Sequence, residues 1–249
     1  MPQAGPRYNC IGMDHDDLTR RIDRLHGVEQ PSLLRLDEGH PFSSRLAVLP
    51  SAFNPPTLAH LELLRAAAAS PGVGSVAAML TTRNVAKGLV GASLAHRARM
   101  LLELGYRDVG LPVLITNQSR IADQARLLAD DTADVEIDVI VGYDTLIRVF
   151  DEQYYTSMAD ELELFFRAHR LIAANRANDG LPEIAKFLER PEVAPFAGRI
   201  VACAIAEHAV DVSSTAARDA VASGREATDL APEIREYIRE HGLYRRDRG

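Results

Sequence analysis

The residues best suited to bind a ligand or to catalyse a reaction lie in the segment Ser51-Ala52-Phe53-Asn54-Pro55-Pro56-Thr57-Leu58-Ala59-His60. Thr57 and His60 are three residues apart at the start of an Ala- and Leu-rich helical pattern, so they share one face of its first turn. Thr can donate a hydroxyl hydrogen bond and His can donate from Nε2. Because the N–H groups and dipole of a first helical turn favour an anion, the segment predicts a phosphate site. A plain Pro turn with an uninvolved His is the alternative.

A second candidate is Val212-Ser213-Ser214-Thr215-Ala216-Ala217-Arg218, which opens another helical pattern. Three successive hydroxyls at a helix start can bind phosphate oxygens, and Arg218 adds a fixed cation one turn further on. Helix capping alone would explain Ser213 or Ser214 taken singly. It does not explain the whole run together with Arg218.

Two further segments could bind a nucleotide. Gly142-Tyr143-Asp144 follows an apolar run; Gly142 allows close backbone approach, and Asp144 could accept hydrogen bonds from ribose hydroxyls. An N-cap role for Asp144 is the alternative. A basic stretch that contains Lys87 and Arg97 could cover phosphates, or it could be a solvated loop.

The elements that must position these residues alternate along the chain. Apolar runs predict strands, and the helical patterns between them predict parallel βα units. The predicted strands are Leu46–Leu49, Ser75–Leu80, Pro112–Thr116, Val135–Val141, Arg170–Ala174 and Arg199–Ala204. The pattern predicts an α/β fold, a doubly wound Rossmann-like parallel sheet with helices on both faces. Ligands on such sheets bind beyond the carboxyl ends of strands near the topological switch point, and the loop 50–57 lies at such an end.

Composition narrows the class of protein. The 249 residues carry 35 acidic and 28 basic side chains, for a net charge of −7, which argues against nucleic-acid binding. The chain has 2 cysteines, Cys10 and Cys203, too few for a disulfide framework. Without a signal pattern or a bilayer-length apolar run, we expect a cytoplasmic protein with no membrane partner.

The sequence also predicts how the chain is divided. We expect residues 1–44 to form a partly helical extension, with spacing over 14–26 that predicts a helix, and residues 45–249 to form the main domain.

Taken together, the four segments resemble the nicotinamide/nicotinate mononucleotide adenylyltransferase family of the nucleotidyltransferase superfamily. The segment 51–60 lies over that family's G-x-F-x-P-x-[HT]-x-G-H motif, and 212–218 lies over I-S-S-T-x-x-R. Gly142-Tyr143-Asp144 matches its G-x-D element, and Lys87 to Met100 looks like the segment that contacts the pyridine nucleotide phosphate. The ordered set covers about residues 45–245.

The resemblance implies that a mononucleotide 5′-phosphate attacks the α-phosphorus of ATP, and that pyrophosphate leaves with Mg²⁺. The implied catalytic residues are His60, Thr57, Lys87 and Arg218. The implied ATP- and substrate-binding residues are Ser51, Phe53, Asn54, Gly142, Asp144, Arg97, Ser213, Ser214 and Thr215. We expect no protein-bound metal, and a homo-oligomer is compatible with the sequence.

Three departures from the family pattern concern the acceptor more than the reaction. Thr57 stands where His is usual, Ala59 replaces Gly, and the chain has no Trp to stack on a pyridine ring. Tyr143, Phe150 or Tyr154 could provide that stacking surface instead.

Three other functions remain open at this point. The chain could be another nucleotidyltransferase of the superfamily, acting on phosphopantetheine or on a choline- or glycerol-type phosphate. It could be an ATPase. It could also be a nucleotide-binding regulatory protein that has lost turnover, with Thr57 and Ala59 as the degenerate positions.

Overall fold

The computed structural model describes residues 13–36, 41–83, 91–108, 111–175, 180–206, 209 and 212–245. The strands are β1 Leu33–Arg35, β2 Arg45–Pro50, β3 Ser75–Thr81, β4 Val113–Thr116, β5 Glu136–Gly142, β6 Arg170–Asn175 and β7 Ile200–Ala204. The helices are α1 His15–His26, α2 Leu58–Ala68, α3 Leu94–Asp108, α4 Ile121–Asp131, α5 Tyr143–Val149, α6 Met158–Ala168, α7 Gly180–Leu188, α8 Ser214–Ala222 and α9 Pro232–Glu240. Short 3-10 helices span Glu152–Tyr154 and Ala194–Arg199.

The strands form one sheet in the order β1-β4-β3-β2-β5-β6-β7. All pairs are parallel except β1 with β4, which is antiparallel. The six parallel strands thus follow the order 3-2-1-4-5-6 of doubly wound nucleotide-binding sheets. Strands β3 and β4 are added on one side of β2, and strands β5 to β7 on its other side. The topological switch point therefore lies between β2 and β5, beyond Pro50 and Gly142. The predicted fold class is confirmed.

Apolar side chains leave the central strands alternately toward two separate cores, because successive residues of a strand point to opposite faces. On β2, Ala47 and Leu49 enter a core shared with α1, α2, α3, α8 and α9. Leu46 and Val48 enter a second core shared with α4, α5, α6 and α7. Helices therefore cover both faces of the sheet, as the continuous apolar runs predict.

The amino-terminal edge of the sheet carries a buried ion cluster. Asp138 on β5 is fully buried and accepts hydrogen bonds from Arg45 Nη1 at 2.9 Å and Arg170 Nε at 2.9 Å. The two arginines are the first residues of β2 and β6. The carboxylate raises the pKa of Arg170. The cluster thus links the starts of three neighbouring strands, at the opposite edge from the switch point.

The extension contributes both a helix and a strand. Asp14 caps α1 by accepting from Asp17 N–H at 2.6 Å, and the predicted apolar face is buried through Leu18, Ile22 and Leu25. Strand β1, which the sequence analysis did not predict, adds to the main sheet beside β4. The division at residue 45 stays a prediction. Among the helices of the described ranges, none carries an apolar stretch of the length that spanning a bilayer requires.

Candidate active site at the switch point

A cavity of about 160 Å³ opens between the ends of β2 and β5. Its lining comes from the loop after β2, from α2 and from the start of α5: Leu49, Pro50, Ser51, His60, Leu63, Ile140, Val141, Gly142, Tyr143, Asp144 and Thr145. Four residues that the sequence analysis assigned to nucleotide binding therefore meet here, namely Ser51, His60, Gly142 and Asp144. This is the position at which doubly wound sheets bind ligands.

The loop after β2 is held by a buried aromatic residue. Phe53 is fully buried, and its backbone lies in the left-handed region at φ 43°. Its ring lies 4.8 Å from the His60 ring, centroid to centroid. Because a bulky residue adopts this conformation only when its surroundings enforce it, packing of Phe53 fixes the loop path. Phe53 therefore supports His60 instead of facing the cavity.

The hydrogen bonds of His60 show which of its two ring nitrogens carries the proton. The Thr57 backbone N–H can only donate, and it lies 3.0 Å from His60 Nδ1. The Thr57 hydroxyl lies 2.8 Å from the same nitrogen. Nδ1 is therefore an acceptor, and the proton of the ring sits on Nε2, which lies 3.0 Å from Ser51 Oγ. Thr57 thus orients His60 to present an Nε2–H donor beside Ser51.

The first turn of α2 differs from the expectation that its N–H groups bind the anion. The Leu58 N–H donates to the Asp229 carbonyl at 2.9 Å, and the His60 N–H donates to the Thr57 carbonyl at 3.0 Å. These two amides already have partners within the protein. A phosphate at this helix start would therefore be bound by the side chain of His60 and favoured by the helix dipole, and not by these two amides.

Helix α8 is tied to the loop after β2. Ser214 Oγ donates to the Pro55 carbonyl at 2.8 Å, and Arg218 Nη1 donates to the Asn54 carbonyl at 2.6 Å. Arg218 Nη2 also donates to Thr215 Oγ1 at 3.1 Å. Ser213 is the N-cap and accepts from Ala216 N–H at 3.1 Å, so the capping interpretation of that serine is correct. The helix therefore presents Arg218 beside the loop.

Asn54 connects that loop to the segment before α3. Its Oδ1 accepts from the Ala92 N–H at 3.3 Å and from the Tyr244 hydroxyl at 2.8 Å. Gly91 lies against the same amide: a Cβ at Gly91 would be 2.6 Å from Asn54 Oδ1, and its φ is +111°. Only glycine fits this contact without strain.

Arg97 is buried at 4% exposure, and its Nε donates to the Ala92 carbonyl at 2.8 Å. Burial lowers its pKa; the nearby Tyr244 phenol opposes the change, and Arg218 adds to it. Two guanidinium groups therefore lie close to one phenol. Tyr244 is a residue of this network that the sequence analysis missed. Its signal in the sequence is weak, a Gly-Leu-Tyr run after the last helix.

The β5 side of the cavity is more open. Gly142 is the N-cap of α5, and a Cβ added there would meet no atom within 4 Å. Asp144 is exposed in the first turn of α5, so it is not the N-cap. Of the proposed stacking residues, Tyr143 lines the cavity, Phe150 is buried in the second core and Tyr154 is 53% exposed. Phe150 is therefore unsuited to stack on a ligand.

Of the basic segment, the structure describes the part from residue 91 onward. Lys87 lies outside the described residues. Met100 is fully buried in the first core. His96 faces α1 and α9, with its Nδ1 2.9 Å from the Tyr237 hydroxyl. Burial, with His15 and His241 nearby, lowers its pKa. Arg97 is therefore the described member of this segment that joins the site network. Within the part of the chain that the structure describes, no cluster of three His, Cys, Asp or Glu could hold a metal.

The sheet order and the switch-point cavity lined by an oriented His60 are the arrangement expected of an α/β nucleotidyltransferase. The Cytidylyltransferase-like family model matches residues 48–220, which is more than half of the chain. The chain belongs to that family and is a nucleotidyltransferase.

Two sequence relatives and a solved structure add detail. A Schizosaccharomyces pombe protein named as a nicotinamide mononucleotide adenylyltransferase is 29% identical over 73% of this chain and 77% of its own. A Bordetella petrii protein named as a nicotinate-nucleotide adenylyltransferase is 28% identical over 81% of this chain and 99% of its own. Both names are provisional. The Plasmodium falciparum nicotinic acid mononucleotide adenylyltransferase structure, complexed with NaAD, covers 80% of this chain and 97% of its own at TM-score 0.59 and 14% identity, a likeness of fold.

Proposed function

We propose that this enzyme transfers the adenylyl group of ATP to a pyridine mononucleotide, nicotinamide or nicotinate mononucleotide, with release of pyrophosphate. The reaction is a step of NAD biosynthesis. The names of both sequence relatives describe this reaction, and they differ only in the acceptor.

The observation that carries the proposal is the presentation of His60 at the switch point. Its Nε2–H is directed by Thr57 toward Ser51, in a cavity that Gly142 and Asp144 line on the other side. A donor held in this way stabilises negative charge that builds on an oxygen in the transition state, at no cost of reorientation. It suits an α-phosphate between two nucleotides.

The reaction needs little else from the protein. A phosphate monoester is already a nucleophile near neutral pH, so catalysis consists of positioning and charge stabilisation. On this proposal, His60 contacts the α-phosphate, while Thr57 and Arg218, with the α8 hydroxyls, form the β- and γ-phosphate side. Gly142 and Asp144 hold a ribose. Lys87 and Arg97 hold the acceptor phosphate.

Metal chemistry enters with the substrate. Mg²⁺ keeps several waters and binds through nucleotide phosphates, so it does not need a cage of protein carboxylates. Asp144 is the acidic side chain among the described residues that line the cavity. We therefore expect Mg²⁺ to arrive as Mg·ATP. Partners are these two nucleotides, with no nucleic acid or membrane required, and the proposed location is the cytoplasm.

The test is to incubate the purified protein with Mg·ATP and each mononucleotide separately, and to quantify dinucleotide and pyrophosphate. Equal molar amounts of the two products with one acceptor are the expected result, and they also give the acceptor preference. Phosphopantetheine serves as the control acceptor. Pyrophosphate or ADP released without dinucleotide, or ATP bound without turnover, would overturn the proposal in favour of an ATPase or a regulatory protein.

A further inference from the structure

The network around Asn54 joins three segments that are far apart in the chain. Asn54 itself belongs to the loop after β2, Ala92 opens the segment before α3, and Tyr244 follows α9. Both the Tyr244 hydroxyl and the Ala92 N–H donate to the same oxygen, Asn54 Oδ1. Since an amide oxygen only accepts, these two donors fix which way the Asn54 amide faces.

The end of α9 brings Tyr244 to this position. Gly242 has a left-handed backbone at φ 62°, and the Leu243 N–H donates to the Ile238 carbonyl at 3.0 Å. This is the Schellman arrangement that ends a helix and reverses the chain. Leu243 then packs against the first core, and Tyr244 follows with its own φ at 60°. A left-handed conformation is unusual for a bulky residue and persists only where the surroundings enforce it.

Two arginines of the predicted site flank the same network. Arg97 Nε donates to the Ala92 carbonyl, and Arg218 Nη1 donates to the Asn54 carbonyl. Burial raises the pKa of Tyr244, although both guanidinium groups and the Ala92 backbone act in the opposite direction. The phenol therefore stays protonated near neutral pH and remains a hydrogen-bond donor.

From this geometry we infer that Tyr244 is a positioning residue. Its hydroxyl holds the Asn54 amide against the Ala92 backbone and so sets the distance between the loop after β2, which carries His60 toward ATP, and the segment before α3, which leads to Arg97 on the acceptor side. Tyr244 does not line the cavity, so it acts through Asn54 and Ala92. The inference rests on the proposed function for its kinetic readout, and on the described contacts for its structural one.

The test compares Tyr244→Phe with Tyr237→Phe. Tyr237 is the control, because this buried tyrosine of α9 has a hydroxyl that lies 2.9 Å from His96 Nδ1, outside the Asn54 network. In Tyr244→Phe we expect the KM for the mononucleotide to rise about tenfold, with kcat within about twofold, because ground-state positioning is lost. In Tyr237→Phe we expect both constants to stay unchanged.

A double-mutant cycle shows whether Tyr244 acts through Asn54. We expect Tyr244→Phe to have no further effect on KM when it is added to Asn54→Ala, since the shared contact is already absent. Equal KM changes in both tyrosine variants, or additive effects in the cycle, would overturn the inference and leave Tyr244 a purely structural residue.

Amide hydrogen exchange provides a readout that does not depend on turnover. We expect the Ala92 amide to exchange faster in Tyr244→Phe and at the wild-type rate in Tyr237→Phe. If wild-type protein formed no dinucleotide, the proposed function would fail while this measurement still decided the role of Tyr244. Unchanged Ala92 exchange in Tyr244→Phe would overturn the inference in either case.

Discussion

The two strand ends that meet at the cavity are built differently. The end of β2 is fixed by side chains: Phe53 is buried beneath the loop, Thr57 orients His60, and Arg218 and Tyr244 both bind Asn54. The end of β5 offers an uncrowded glycine and an exposed carboxylate, Gly142 and Asp144.

This difference matches the chemistry expected on each side. Charge that develops on a phosphate is stabilised best by donors that are already in place, because their reorientation then costs nothing during the reaction. A ribose and base, by contrast, bind mainly through shape and a few hydrogen bonds. A variant that removes a donor to the phosphate on the β2 side, such as His60, should therefore change kcat, and one on the β5 side should change KM.

The largest expected effect is that of His60→Ala. Loss of one preorganised donor to the transition state should lower kcat by about 10²–10³, equivalent to roughly 3–4 kcal/mol. Steady-state kinetics with Mg·ATP measures it, and His26→Ala, an exposed histidine at the end of α1, is the control. Near-normal turnover in a folded His60→Ala protein would contradict the assignment of the β2 side.

The next test uses one alanine substitution on each side. Gly91→Ala places a Cβ against Asn54 at φ +111°, so we expect a loss of ~1–3 kcal/mol in the free energy of unfolding. Gly142→Ala meets no protein atom within 4 Å at φ −75°, so stability should be retained while KM for ATP rises about tenfold. Denaturant unfolding and steady-state kinetics on both variants measure the contrast. Equal losses of stability would remove the proposed difference between the two sides.

The smallest expected effect is that of Asp144→Asn. The carboxylate is exposed, so loss of its hydrogen bond to a ribose hydroxyl should raise KM by about fivefold, roughly 1 kcal/mol. Removal of a negative charge also favours the binding of an anionic substrate, which opposes this rise in KM. Glu152→Gln, an exposed residue on the following 3-10 helix, isolates that charge contribution. A KM for Asp144→Asn equal to that of the control would show that Asp144 makes no ribose contact.

The six predicted strands are confirmed because buried parallel strands read as continuous apolar runs. Strand β1 was missed since it has 3 residues and no clear alternation. Helix α5 was implied only by the N-cap alternative for Asp144 and was not predicted from its pattern, because its 7 residues are too few to show a period. Both elements owe their conformation to the sheet they pack against.

In the candidate site, too, the local features could be predicted from the sequence and the long-range contacts could not. Local spacing placed Thr57 and His60 on one helical face, and the structure adds the bond that orients the imidazole. The partnership of Tyr244 with Asn54 spans 190 residues, which no local pattern reveals. Asp138 lies within an apolar run that predicts a strand, and nothing local marks it as one member of an ion cluster. Its arginine partners are the first residues of two other strands. Contacts of this kind depend on topology, which spacing alone does not supply.

The buried ion cluster of Asp138, Arg45 and Arg170 has a consequence for how variants would present in a cell. Substituting either arginine removes one of the two cations that pair with the fully buried Asp138 carboxylate, which destabilises the fold far from the cavity. Such a variant lowers the abundance of the enzyme through proteolysis of its unfolded fraction, while each surviving molecule works at the normal rate. Damage at the cavity has the opposite signature, with normal abundance and slow molecules. An immunoblot next to an activity assay therefore reports which edge of the sheet a substitution has reached.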